Sequence, residues 1–395
     1  MALFQETDAD PRAAAARLAD LLAWFGAIGD LANGDPAGLS TRKAQAAASL
    51  ARALEVEQPE VDAIFFAAQL HAIGALGNDA CRKGEGLPPR LARMERWDIP
   101  AQGARIAERI GALPMNCADL IRWQDERWDG TGSPDQLRWT TIPHGAQILA
   151  LADCFARIEQ PEEALAAVSQ ESGRRFSPEM ARSFLLWLHL NGGDPEPTPT
   201  PNATLDARKC VPDSILRDIA DRIDDHNGVR GRWRRVATIA ERVATEIGID
   251  EHGQGTLELA CATYGSGELA ARDVEESLYD PLARLGIEER ARNATLAAQL
   301  VERFRALAHL TPILRARAEW FDGTGKPRGL GRDAIPALSQ ILAVSIAFDA
   351  LLRNRTAAAS SSPDLLATHR LDDASGTQFD PDVVRALIRV AGSLS

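Results

Sequence analysis

At 395 residues, with 45% apolar and 25% charged side chains, the chain has the composition of a soluble globular protein long enough for more than one buried core. A net charge of -12 argues against DNA or an anionic membrane surface as its main partner. Five scattered cysteines without a CxxC pair speak against a disulfide framework or a thiolate zinc site. With no basic-then-apolar leader and no run of about 18 apolar residues, the sequence reads as cytoplasmic and non-membrane.

Taken in chain order, the segments "DPRAAAARLADLLAWFGAIGDLA", "STRKAQAAASLARALEV", "AQGARIAERIGAL" and "IPHGAQILALADCFARI" space their apolar residues three and four apart. Ala, Leu and Arg dominate them, so they are predicted as amphipathic helices. Ser177-Pro178 and Asp380-Pro381 each supply a capping oxygen followed by a proline suited to a first helical turn. Strand-like alternation is nearly absent, and the predicted fold class is all-α. The run "GGDPEPTPTPNATLD" alternates proline with Glu and Thr, a composition that prefers an extended polyproline form. It reads as a linker over 191–206, between a first domain at 1–190 and a second at 207–395. A second low-complexity run, "RNRTAAASSSPDLLATHR", reads as a mobile loop in the second domain.

The two halves repeat each other. Gly38 and Gly231, Gly74 and Gly267, Gly132 and Gly325, and Leu149 and Leu342 are each 193 residues apart. "SGRRFSPEMARSFL" and "SGTQFDPDVVRALI" continue the match at an offset of 203, the difference falling at the Ala/Ser-rich run. A period this long predicts two tandem helical domains with separate cores rather than a solenoid.

The most specific shared stretch is "ERWDGTGSP" with "AEWFDGTGKP", followed at fixed distance by "IPHGAQILALAD" and its downstream copy. Together with "GLSTR" and "FAAQLHAIGALG", these motifs resemble the HD-GYP family, whose active members are metal-dependent phosphodiesterases of cyclic di-GMP. The resemblance implies a centre of two or three metals held by histidines and aspartates from several helices, which activate water and neutralise phosphate charge. On that register most ligands are replaced. In the first copy Leu39 stands at the first His, His71 matches the His of the His-Asp pair while Ala72 replaces its Asp, and Ala75 replaces a lysine. Ile99 stands at a further His, Gln124-Asp125 at a His-His pair, and Asp153 matches the last Asp. In the second copy Arg232, Tyr264-Gly265, Glu268, Arg317-Ala318 and Ile346 occupy the corresponding positions, so no expected ligand remains.

The resemblance therefore implies a residual metal set of His71, Asp125 and Asp153, able at most to hold a divalent Mn, Fe or Zn. The alternative is that no cofactor is bound and His71 simply hydrogen-bonds Asp153. Asp129, Gly130 and Gly132, with Asp322, Gly323 and Gly325, are read as loop architecture: the glycines supply unusual backbone angles and the aspartates cap the turn. Trp128 and Phe321 are read as the loop's apolar anchors. Arg232 and Arg317 could bind a phosphate in place of the metal, or pair with neighbouring acids such as Glu268 and Glu319. No residue is assigned as catalytic. The leading expectation is a catalytically inactive HD-GYP-like scaffold or signalling protein of a bacterial cytosol, with a signalling protein or a cyclic dinucleotide as partner. Two other readings stay open: a metal-dependent phosphohydrolase working through His71, Asp125 and Asp153, and a metal-free nucleotide receptor in the second domain.

Overall fold

The computed structural model describes residues 11–76, 98–158, 160–191, 205, 212–271, 287–353 and 363–392. Nearly all of the proposed linker and residues 354–362 of the Ala/Ser-rich run lie outside them. The described residues fall into two compact units, one within Asp8–Val211 and one within Pro212–Ser395. Both are helical, and the bridges among the described residues are isolated ones at turns. The expected all-α class is what the chain adopts.

The first unit contains α1 (Pro11–Asn33), α2 (Leu39–Ala53), α3 (Gln58–Gln69), α4 (Ile99–Ile110), α5 (Cys117–Trp123), α6 (His144–Arg157), α7 (Pro161–Gln170) and α8 (Pro178–Asn191). Helices α2, α3 and α6 pack on one another at its centre. Ala44, Ala47, Ala48 and Ala51 on α2 and Ala67 and Ala68 on α3 are all buried where the two helices pack, and such small side chains let helix backbones approach closely. Trp24 and Phe25 of α1 are fully buried and fill the larger spaces. The start of α2 is fixed from a distance. Asp30 Oδ2 accepts from Gly38 N, Ser40 N and Ser40 Oγ, each at 3.0 Å, so a buried carboxylate satisfies amides that a helix cannot satisfy itself.

The second unit contains α9 (Pro212–His226), α10 (Arg232–Glu246), α11 (Glu251–Thr263), α12 (Ser266–Ala271), α13 (Ile287–Glu302), α14 (Thr311–Ala316), α15 (Ala337–Arg353), α16 (Pro363–Asp373) and α17 (Pro381–Ala391). Its α10 packs on α11, α15 and α17. Asp224 takes the place of Asp30, with Oδ2 accepting from Trp233 N at 2.7 Å. Both expected caps form: Ser177 Oγ accepts from Met180 N at 3.0 Å, and Asp380 Oδ1 from Asp382 N at 2.7 Å.

The duplication is visible in close backbone approaches. Gly74 lies against the Ile99 carbonyl and Gly103 N, where any Cβ would collide, and Gly267 lies in the same way against the Asn293 carbonyl. Asn293, rather than Arg292 at the 193-residue offset, is therefore the counterpart of Ile99. One extra residue has entered this stretch of the second copy.

Candidate functional site

In each unit the Asp-Gly-Thr-Gly loop is held by the same set of bonds. Glu126 is almost fully buried, and its carboxylate accepts from Asp135 N at 2.6 Å and Leu137 N at 3.0 Å. Glu319 does the same for Arg328 N at 2.7 Å and Leu330 N at 3.1 Å. Within the loop, Asp129 Oδ1 accepts from Thr131 N and Oγ1, and Asp322 Oδ1 from Thr324 N and Oγ1. The following strap adds Trp128 N to Arg175 O and Asp129 N to Arg174 O, matched by Phe321 N to Gln378 O and Asp322 N to Thr377 O. Gly130 and Gly323 have φ of 78° and 82°, and a Cβ on Gly132 or Gly325 would meet the backbone at Arg127 or Trp320. Trp128 and Phe321 line small equivalent hollows beside this strap. These side chains are engaged in local architecture, and a donor chemistry for a metal is not what the loop presents.

The first unit's site lies where α2, the end of α3, the end of α5 and α6 meet. Sequence register singles out His71, Asp125 and Asp153 there, but the side chain at the centre is Lys43. It is 1% exposed, and its Nζ donates to Gln124 Oε1 at 2.9 Å and lies 3.5 Å from Asp153 Oδ1. Gln124 Nε2 in turn donates to the His71 carbonyl at 2.9 Å, so the glutamine ties Lys43 to the turn that follows α3. Asp153 is further met by Arg157 Nε at 3.1 Å and by Arg175 Nη2 at 3.5 Å. Arg157 also clamps Asp35 at 2.7 Å. Asp125 is solvent-accessible at the edge of this network.

The expected bond between His71 and Asp153 does not form. His71 Nδ1 lies 3.1 Å from the Ala68 carbonyl, which places its proton there, while Nε2 is buried with no hydrogen-bond partner. Burial, then the nearby Lys43 charge, holds the imidazole well below its usual pKa, so it is neutral. Burial alone would raise the Asp153 carboxyl; the charges of Lys43, Arg157 and Arg175 outweigh it and hold the group below the usual carboxylate range. Burial pulls the Lys43 ammonium down, and Asp153 and Asp125 oppose that pull. Asp153 is thus saturated by cations of the chain itself.

These residues do not fit a metal centre. The bare Nε2 of His71 is a suitable donor, yet Asp153 is shared among three basic side chains. Among the described residues no group of three or more His, Cys, Asp or Glu is placed to hold one ion. Of the expected set, Asp153 has the ammonium of Lys43 3.5 Å from its carboxylate, and His71 keeps a bare Nε2.

In the second unit the positions register with the same elements, and Arg232 and Arg317 do converge. Their guanidinium carbons lie 5.1 and 5.7 Å from the ring centroid of Tyr264. Arg232 Nη2 donates to Glu268 Oε2 at 2.7 Å, and its Nε is 3.8 Å from Asp224 Oδ1. Burial pushes the Asp224 carboxyl up to about 6, against the pull of Arg232. Tyr264, Glu268 and Arg317 are all buried. The pairing of Arg232 with Glu268 is the one foreseen, whereas the Glu319 carboxylate is committed to the loop amides.

Lys43, Arg157, Arg175 and Asp35 escape a reading by motif. One signal for Lys43 was present: it falls on the buried face of α2, with Leu39, Ser40, Ala44 and Ala47, where the duplicate α10 has Val236.

The fold and this register define the class. The HD domain family model matches residues 28–180 and again 217–383, and the chain belongs to that family. Over 306 residues it is 27% identical to the 3'3'-cGAMP-specific phosphodiesterase 3 of Vibrio cholerae, covering 72% of this chain and 65% of that protein. It is 32% identical over 151 residues to a cyclic di-GMP phosphodiesterase of Thermotoga maritima, covering 34% and 40%. The chain thus spans about two thirds or less of the length of these relatives. A solved structure of a cyclic GMP-AMP-specific phosphodiesterase from V. cholerae superposes with a TM-score of 0.67 over 96% of this chain and 98% of that one, at 19% identity, which establishes the shared fold. No described helix is long and apolar enough to cross a membrane.

Proposed function

We propose that the chain is a non-hydrolysing member of the HD-domain family that acts by binding, as a signalling or scaffold protein of the cytosol, with a cyclic dinucleotide or a signalling protein as partner. The observation that carries this reading is the replacement of metal ligands by ion pairs of the chain itself in both units: Lys43 with Asp153 in one, Arg232 with Glu268 in the other. Hydrolysis of a phosphodiester by this family's chemistry needs a metal-activated water, and among the described residues neither cluster gathers three His, Cys, Asp or Glu side chains around one point to hold such an ion. The names of the relatives supply the ligand class. Residues 191–206 serve in this reading as the tether between two separately folded units.

The test is incubation of the full chain with cyclic di-GMP and with 3'3'-cGAMP in the presence of Mn, Fe or Zn, followed by chromatography. No linear product is expected. Turnover that requires metal and disappears in His71→Ala and Asp153→Ala would establish the other reading, a reduced phosphohydrolase, which the bare His71 Nε2 favours. Calorimetry on wild type and Arg232→Ala separates the receptor role of the second unit: nucleotide heat lost only in Arg232→Ala assigns binding to that cluster. Since Arg232 is held by Glu268 and buried Tyr264, equal heats are expected in the two proteins.

A further inference from the structure

We propose that Lys43 is a resident cation of the first unit: its ammonium takes the metal's electrostatic place beside Asp153 and keeps a divalent ion out. The first argument is position. The Nζ reaches the carboxylate that matches the last metal-binding Asp, and through Gln124 it is tied to the backbone of His71, the other matching residue. Of the three cations around Asp153, Lys43 is the one that is itself buried, with a side chain 2% exposed, so it supplies the counter-charge on the inner side of the carboxylate.

The second argument comes from the duplication. At the 193-residue offset Lys43 corresponds to Val236 and Asp153 to Ile346, so the cation and its carboxylate occur together in one copy and are both absent from the other. Only the unit that keeps the acid carries this base. The second unit satisfies its cluster from the same helix but one turn away. Arg232 opens α10 at the position of Leu39 and pairs with Glu268, the counterpart of Ala75. Different residues have thus supplied an internal positive charge in each unit, which is what replacement of a bound cation requires and what random surface drift does not produce.

The third argument is repulsion. A divalent ion on Asp153 would stand beside Lys43, Arg157 and Arg175 at once, and its repulsion is strongest with the buried Lys43 ammonium, which water screens least. His71 Nε2 shows the complement, a donor atom retained without any partner.

The proposal rests on the non-hydrolytic reading of the first site. Metal-dependent turnover of a cyclic dinucleotide by wild type would end that reading, whereas the measurement below reads metal binding alone and tests this proposal separately. Mn2+ binding to the full chain is followed by electron paramagnetic resonance for wild type, Ala72→Asp, and Lys43→Val combined with Ala72→Asp. Ala72→Asp restores the missing acid of the His-Asp pair, and Lys43→Val installs the residue of the duplicate. The combined variant is expected to bind the ion at least about tenfold more tightly than Ala72→Asp, with no uptake by wild type. Comparable affinity in Ala72→Asp, tight binding by wild type, or no binding in the combined variant would each overturn the proposal. A second measurement does not depend on the metal: Lys43→Met and Asp153→Asn should be strongly non-additive in urea unfolding, and additivity would overturn it as well.

Discussion

Replacing Glu126 by Gln isolates what holds the Asp-Gly-Thr-Gly loop. The carboxylate accepts two backbone amides on separate oxygens, at 2.6 and 3.0 Å, from a nearly fully buried position. In Glu126→Gln the amide oxygen can keep one of these bonds, while its NH2 turns toward the other N–H, donor against donor. A hydrogen bond to a charged acceptor contributes about 1.5–3 kcal/mol, and a buried donor left unpaired costs about 1–3 kcal/mol. Because these quantities overlap, about 3 kcal/mol of local opening energy is expected to be lost. That corresponds to about a hundredfold faster amide exchange in the peptide carrying Asp135 and Leu137, read by hydrogen exchange and mass spectrometry. Glu319→Gln should reproduce the effect at Arg328 and Leu330, since its two bonds have the same arrangement. Acceleration of less than about fivefold, or a response in only one of the two copies, would refute the assignment of these glutamates as the loop's common anchor.

Two further outcomes follow from the duplicated architecture. Burial raises the Asp30 carboxyl from 3.8 to about 6, so the folded state holds this proton more tightly than the unfolded state. The associated stability is complete below the unfolded value and is lost as pH rises from about 3.8 through about 6, by up to about 3 kcal/mol. In urea unfolding Asp30→Asn should flatten that part of the profile; an unchanged slope would exclude Asp30 as its source. Gly74→Ala forces a Cβ against the Ile99 carbonyl, and Gly267→Ala one against the Asn293 carbonyl. Each should destabilise its unit by about 1–3 kcal/mol, and an unshifted unfolding midpoint would show that the backbones can part without cost.

Much of the fold is legible along the chain because its causes are short-range. Three- and four-residue spacing marks α1, α2, α4 and α6, and Ser177 and Asp380 begin α8 and α17 where a capping oxygen followed by proline indicates. The repeated glycines place the loop in both copies. The site was legible by register: alignment along the motifs brings the eye to His71, Gln124 and Asp153 in one copy and to Arg232, Glu268 and Arg317 in the other. One shift of register is not shown by the 193-residue offset, because a single added residue makes Asn293 the partner of Gly267.

What these positions do in the fold has no such local signature. His71 and Asp153 invite a mutual bond, yet His71 turns to Ala68 of its own chain turn, and Asp153 is taken by Lys43, 110 positions away, with Arg157 and Arg175. Gln124, which reads as a simple loss, carries one bond to each of Lys43 and His71. The sequence by itself determined the helices, the duplication and the positions that face each cluster, since these depend on periodicity, caps and glycines acting over a few residues. Only the tertiary structure decided which charges meet there, because a buried ion pair is selected by where side chains from separate helices converge and by the cost of leaving any one of them unpaired.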